Sequence, residues 1–315
     1  MMVAGPWARR GVLIANPVAG RKDPALIDAV IRHCSPLVAE LDVVLTSGSG
    51  AAQATARDCV GDADLVVVVG GDGTTREVAS GLARAAGEDP AAALPAMVNV
   101  PAGTGNSFYR EIWSDRPWQE VLSSSLSGAG PRLRRVDMAR IRETDTLALL
   151  GACSGLVAEA LITAARLPEL AGRDRYREAV ALTLRTFEAY PGRVLVDGTV
   201  VHDGAAVLAN VGGGRYRGGQ FKVLPHSVLD DGLLDVCVVG GDLDPRELPG
   251  LTARGDHVGR PEVVYARGRR IVIERTDGSP LTFEHDGELV RTSASRYTIE
   301  VLPNVLPVLA PSGTV

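Results

Sequence analysis

Leu65-Val66-Val67-Val68-Val69-Gly70-Gly71-Asp72-Gly73-Thr74-Thr75 opens with five apolar residues and breaks at three glycines around one aspartate. A β-branched run of this kind reads as a strand buried on both faces, as in a parallel sheet. Residues 75–86 then show helical spacing, with Val78, Ala79 and Leu82 on one face, so the glycines form a strand-to-helix crossing. Such a loop can turn successive backbone N–H groups into one concavity and let a ligand approach the chain. That suits an anion, phosphate first, at a helix N-terminus; an ordinary turn is the alternative. The stretch fits neither the dinucleotide fingerprint nor the P-loop, whose Gly-Lys-Ser/Thr ending is absent.

Upstream, residues 11–15 form a short apolar strand ending in Asn16-Pro17-Val18-Ala19-Gly20, and Asp23-Pro24 opens a helix through about His33. A strand over 41–46 and an Ala-rich helix over 49–59 follow. Downstream, a strand over 96–100 ends in Pro101-Ala102-Gly103-Thr104-Gly105-Asn106-Ser107 before another helix. Strands alternating with helices predict a parallel sheet covered on both faces, with ligands beyond the carboxyl ends of the strands. The loops around Asn16, Asp72 and Gly103 then share one edge.

Beyond about residue 130 the pattern changes to short β runs, at 134–142, 146–152, 194–196, 205–211, 232–239, 263–266, 270–275, 281–284 and 297–301. Asp-Gly pairs at 197–198, 231–232, 277–278 and 286–287 punctuate them as turns. An antiparallel sandwich or barrel-like second domain is expected. Helical stretches at 156–166 and 173–189 interrupt it; the second carries Arg173, Arg175, Arg177 and Arg185, either a solvated face or a phosphate-holding one.

The 315 residues, 45% hydrophobic and 23% charged, are enough for two domains with a sizeable core. A net charge of −5 argues against nucleic acid as a partner. Cys34, Cys59, Cys153 and Cys237 lack C-x-x-C spacing and sit in mostly apolar surroundings, which predicts buried thiols in a reducing compartment. The apolar run after Arg9-Arg10 stops at Asn16-Pro17, too short for a signal peptide or a membrane span. A cytoplasmic protein is expected.

Taken in order, these motifs resemble the diacylglycerol kinase catalytic-domain family, which includes bacterial lipid kinases and the sphingosine and ceramide kinases. The likeness rests on Asn16 to Gly20, on Gly70-Gly71-Asp72-Gly73-Thr74 with Glu77-Val78, on Pro101 to Ser107, and on Asp286-Gly287-Glu288. Val136-Asp137, the glycine-rich stretch 210–219, Pro225 and Asp230-Asp231-Gly232-Leu233-Leu234-Asp235 fill the interval, so it covers about residues 11 to 303. It implies an α/β N-terminal domain like that of phosphofructokinase and NAD kinase, with a parallel sheet and helices on both faces, over 1–130 with 296–315 returning to it. A C-terminal antiparallel β-sandwich over 131–295 completes the fold, with the nucleotide in the cleft between.

The resemblance also implies ATP and Mg2+ as cofactors and phosphoryl transfer to a hydroxyl of a lipid or amphiphilic alcohol, diacylglycerol first, as in phospholipid biosynthesis. The work is expected at the inner membrane surface, peripherally, and a homodimer stays open. Gly70, Gly71, Gly73 and Thr74 would cradle phosphate; Asn16, Glu77, Gly103, Thr104, Gly105 and Asn106 would line the nucleotide side. Asp72 would act on nucleotide or metal. Asp286 would be the general base, with Glu288 beside it for metal or positioning; the alternative for Asp286 is a hairpin turn. Asp230, Asp231 and Asp235 read either as a structural magnesium site or as another turn, and Asp137 as part of an acidic network or as a strand end. Ser107 departs from the family's usual aspartate after Asn106. Two other readings stay open: the same chemistry on a soluble or specialised-metabolite alcohol, and a nucleotide-binding regulator without catalysis.

Overall fold

A computed structural model of the chain describes residues 8–20, 23–127 and 132–311. The chain divides into two compact units, Met1–Val136 with Asn304–Val315, and Asp137–Pro303. The division expected at 130/131 lies outside the described residues. The observed one falls within two continuous strands, Arg132–Ile141 and Arg296–Ala310, each of which starts in one unit and ends in the other.

The first unit contains β1 (Ala8–Ala15), α1 (Pro24–Cys34), β2 (Val38–Leu45), α2 (Ala51–Asp58), β3 (Leu65–Gly70), α3 (Asp72–Ala85), β4 (Ala96–Pro101), α4 (Ser107–Trp113) and α5 (Trp118–Leu126). β2, β1, β3 and β4 pair in that order, all parallel, and the end of the chain's last strand adds beside β4 through Val308 and Met97. Every residue of β3 is buried, as a run without alternation requires. Helix α3 begins at Asp72, three residues before the periodicity announces it. Gly71 is its N-cap and Asp72 stands in the first turn, where a carboxylate meets the positive end of the helix dipole.

The second unit starts with β5 (Arg132–Ile141, from Asp137), β6 (Thr146–Ala148), β7 (Gly151–Gly155), α6 (Leu156–Ala164), α7 (Gly172–Thr183), β8 (Tyr190–Val196), β9 (Thr199–Gly212), β10 (Tyr216–Arg217) and β11 (Phe221–Lys222). It ends with β12 (Leu234–Gly240), α8 (Leu248–Arg254), β13 (Val263–Gly268), β14 (Arg270–Arg275), β15 (Phe283–His285), β16 (Glu288–Leu289) and β17 (Arg296–Ala310, to Pro303). Its pairings are antiparallel throughout, and the long β9 joins β7, β8 and β12. Facing residues alternate along the strands apart from register shifts at Val194/Leu195 and Val239/Gly240. Ala152, Val211, Val236, Phe283 and Tyr297 fill the core on one face, while Cys153, Leu208, Cys237 and Val239 pack on the other with Leu156 and Phe187. This is the expected antiparallel β-sandwich.

The strand expected over 146–152 is two strands, β6 and β7, interrupted at Leu149 and Leu150. The N–H groups there leave the ladder for the carboxylate of Asp286. All four cysteines are buried free thiols. No helix among the described residues is long and apolar enough to cross a membrane.

Candidate active site

In the first unit the carboxyl ends of the parallel strands carry loops that bond to one another. Asn16, just past β1, donates from Nδ2 to Thr74 Oγ1 at 3.1 Å and accepts Val18 N–H on Oδ1 at 3.0 Å. Gly20, at φ +52°, lies against the carbonyl of Ala102. A Cβ on Gly103 would stand 2.6 Å from Gly71 Cα, so the second and third glycine loops touch backbone to backbone. Asn106 closes the third loop with both ends of its amide: Oδ1 accepts Gly103 N–H and Nδ2 donates to Gly103 O, each at 2.9 Å. Thr104 is exposed between them, beside Gly105.

Asp72 ties these loops to α4. Its Oδ2 accepts Ser107 N–H at 2.9 Å and its Oδ1 accepts Phe108 N–H at 3.0 Å. The aspartate of the second motif thus holds the start of the helix that follows the third. Ser107 is buried, and its backbone N–H takes part in this clamp. A carboxylate in its place would need a partner of its own in the same buried spot. Gly73 is the exception to the tight packing: a Cβ there would meet nothing within 4 Å. It sits in the first turn of α3, whose N–H groups have no partner within the helix.

Glu77 reaches a loop that the motifs did not include. Its Oε1 accepts Gly50 N–H at 3.0 Å, at the N-cap of α2. The glycine-rich run Thr46-Ser47-Gly48-Ser49-Gly50 therefore joins the same edge; its signal in the sequence is the pair of glycines directly after a strand.

The second unit holds Asp286 in a two-residue hairpin between β15 and β16, with φ +46° at Asp286 and +84° at Gly287. Successive positive φ values define the type I′ turn that Asp-Gly favours. The carboxylate accepts Leu149 N–H at 2.8 Å, Leu150 N–H at 2.7 Å and Gly151 N–H at 3.3 Å, and its side chain is 1% exposed. Burial alone would raise its pKa. His285 and the backbone donors outweigh burial and hold the carboxyl below its ordinary value. His285 Nδ1 stands 3.9 Å from Oδ2, an ion-pair separation and not a hydrogen bond.

Beneath this turn lies a polar layer that the motifs left out. Glu284, 3% exposed, accepts Gly287 N–H on Oε2 at 2.8 Å. Sheet register places it beside Cys153, then Asn210, then Cys237. Arg217 Nη2 donates to Asn210 Oδ1 at 2.9 Å, and a Cβ on Gly212 would stand 2.7 Å from that nitrogen. Gly151 and Gly212 thus leave the room the guanidinium fills. Burial pushes the Glu284 carboxyl up to about 7, against the Gly287 N–H and Arg217, which favour its charge. The available signal was Glu284 standing in the strand that leads directly into the Asp286-Gly287 turn.

Asp230, Asp231, Asp235 and Asp137 form a separate group. Asp137 Oδ2 accepts Gly232 N–H at 2.8 Å, while Arg267 pairs with Asp231 and, at 3.4 Å, with Asp235. One register row runs Asp235, Gly212, Gly151, and Asp286 donates its N–H to Gly151 O. Asp235 therefore stands three strands from Asp286, roughly 14 Å at ordinary strand spacing. Among the described residues no three His, Cys, Asp or Glu side chains converge to hold a metal ion. An all-protein magnesium cage does not fit this donor set, because an arginine already pairs with the acidic group. A Mg2+ that arrives with nucleotide phosphates needs only one or two carboxylates, and those are present.

Alongside the hairpin, Leu161, Ala164 and Tyr176 from α6 and α7 and Glu288 and Leu289 from β16 line an open cavity of about 570 Å³, with Arg175 also lining it. Arg175 Nε is fixed on Leu170 O at 2.6 Å.

The family model of the diacylglycerol kinase catalytic domain matches residues 10–141, and that of the YegS C-terminal NAD kinase beta sandwich-like domain matches residues 152–310. The chain is 27% identical over 247 residues to the "Probable lipid kinase YegS" of Escherichia coli and of Shigella boydii, covering 76% of this chain and 76% of each relative. Among solved structures it is similar to a diacylglycerol kinase from Bacillus anthracis, with TM-score 0.70 and 22% identity over 98% of this chain and 99% of that one. The NADH kinase of yeast shares the fold more distantly, with TM-score 0.52 and 11% identity over 97% of this chain and 84% of that one. With both units matched in order, the chain belongs to the diacylglycerol kinase catalytic-domain family and is a kinase whose acceptor is an alcohol.

Proposed function

We propose that this kinase transfers the γ-phosphoryl group of ATP to a hydroxyl of a diacylglycerol-like lipid. The observation that carries the acceptor is the cavity beside the Asp286-Gly287-Glu288 hairpin, walled by Leu161, Ala164, Tyr176 and Leu289. Its size and mixed lining suit the glycerol end of an acyl lipid, with Leu161, Ala164 and Leu289 as apolar wall and Glu288, Arg175 and Arg291 as charged groups. The name of the YegS relatives supports the same acceptor class.

On the donor side, the first-turn N–H groups of α3 and the open face of Gly73 receive phosphate oxygens. Asn16, Thr74, Gly103, Thr104, Gly105 and Asn106 shape the loops around them. Asp72 is the carboxylate at this edge that would face a Mg2+ carried on those phosphates, and the ion would supply charge neutralisation for the transferring group. Asp286 is the residue that takes the acceptor's proton. Its depressed pKa makes it a weak base. That is sufficient in a loose phosphoryl-transfer transition state, where orientation of the hydroxyl matters more than its early deprotonation.

The test is transfer of labelled γ-phosphate from ATP and Mg2+ to diacylglycerol in mixed micelles, to a total lipid extract and to a soluble metabolite extract, with Asp286→Asn in parallel. Label in a lipid product that falls at least a hundredfold in the variant is expected. Label confined to water-soluble products would replace the lipid by a soluble alcohol. ATP binding without any transfer would leave a nucleotide-binding regulator.

A further inference from the structure

In a two-residue hairpin the N–H of the second turn residue has no ladder partner and ordinarily turns to solvent. Here that N–H, of Gly287, is taken by the carboxylate of Glu284 at 2.8 Å from three residues back. Glu284 is 3% exposed, and a buried carboxylate is a poor choice for stability: a glutamine offers Gly287 the same acceptor without the desolvation of a charge.

We infer that Glu284 is a positioning residue for the reaction: by holding Gly287 N–H it fixes the turn, and with the turn the direction of the Asp286 carboxylate. This rests on the reading of Asp286 as the residue that takes the acceptor's proton. The groups facing Glu284 are Cys153 on β7, Arg217 following β9, Tyr176 on α7, and His285 and Asp286 on its own hairpin. Arg217 and the Gly287 N–H favour the charged form, whereas burial and Asp286 oppose it, and the balance brings the carboxyl to about 7. Protonation replaces a charge-assisted bond to Gly287 N–H by a neutral one, about half as strong. The turn is therefore held firmly above neutrality and loosely below it.

Two readouts test this, one of them free of catalysis. In the wild-type protein the Gly287 amide resonance, followed by NMR, should titrate with a midpoint near 7, and the titration should vanish in Glu284→Gln. With diacylglycerol micelles, kcat of the wild type should fall severalfold as pH drops through the same midpoint and level off at a lower plateau. Glu284→Gln should lose that limb while its KM for ATP stays within twofold. A Gly287 amide that does not titrate, or a Glu284→Gln variant that keeps the wild-type limb, overturns the inference. Full turnover by Asp286→Asn with the amide titration intact would instead remove the base reading, and with it the catalytic role of Glu284. That pattern differs from the failure of the Glu284 contact itself.

Discussion

Asp72 begins a helix in one unit and Asp286 stands in a hairpin in the other, yet both carboxylates accept consecutive backbone N–H groups from a distant segment. For Asp72 the donors are the first residues of α4 and the residue is half-buried. For Asp286 the donors are Leu149 to Gly151, the side chain is sealed, and a second buried acid lies beneath it. The motif aspartates thus shape their loops before they meet any ligand. The difference lies in what surrounds them: open space at Gly73 beside the first, and a buried polar layer under the second.

Removing each anchor should separate the two regions. Asp286→Ala leaves three buried N–H groups without their acceptor, and a loss of about 3–5 kcal/mol in urea unfolding is expected. Asp72→Ala, half-buried and with two donors, should lose about 1–3 kcal/mol. Equal losses would break the contrast.

Within the second region, protonation should act on Glu284 and Asp286 with opposite signs. Glu284 binds its proton more tightly folded than unfolded, so its contribution is fully present below its ordinary pKa and lost as pH rises through about 7. Replacing it by glutamine should flatten that fall, which is on the order of 3 kcal/mol, in unfolding measured between pH 4.5 and 8. Asp286, held below its ordinary value, contributes stability at neutral pH that disappears as pH falls through its folded pKa. A Glu284→Gln protein with the wild-type slope between pH 4.5 and 7 would contradict the assignment.

Smaller effects follow from the loops of the first unit. Gly103→Ala would drive a Cβ to 2.6 Å from Gly71 Cα, where backbone must yield, and should lower stability by about 1–3 kcal/mol. Asn106→Ala removes both bonds to Gly103 and should lower it by about 1 kcal/mol, read as a shift of a few degrees in thermal melting.

Much of this was legible in the sequence because it depends on local chemistry. The buried valines of β3, the Asp23-Pro24 start of α1 and the Asp-Gly turns each declare themselves through periodicity or backbone preference. The start of α3 at Asp72 was hidden, since Gly71 caps it without a side-chain bond and the apolar period begins only later. The break at Leu149 and Leu150 was hidden for a different reason: its cause is a carboxylate 136 or 137 residues away. Glu284, Arg217 and Asn210 escaped notice because only strand register brings them together. The acidic group at 230–235 stood open in one dimension between a metal site and a turn, and Arg267 enters it only through cross-strand pairing with β12.

Gly73→Ala gives the most direct test of the phosphate assignment, because it leaves the fold aside. A Cβ there meets nothing within 4 Å, and alanine is the better helix former, so the variant should be as stable as the wild type or up to about 1 kcal/mol more so. If ATP phosphates approach the first turn of α3 across that open face, titration calorimetry should show binding weakened at least tenfold in a protein whose melting temperature has not fallen. ATP affinity unchanged in a well-folded Gly73→Ala protein would contradict the account and place the phosphates elsewhere.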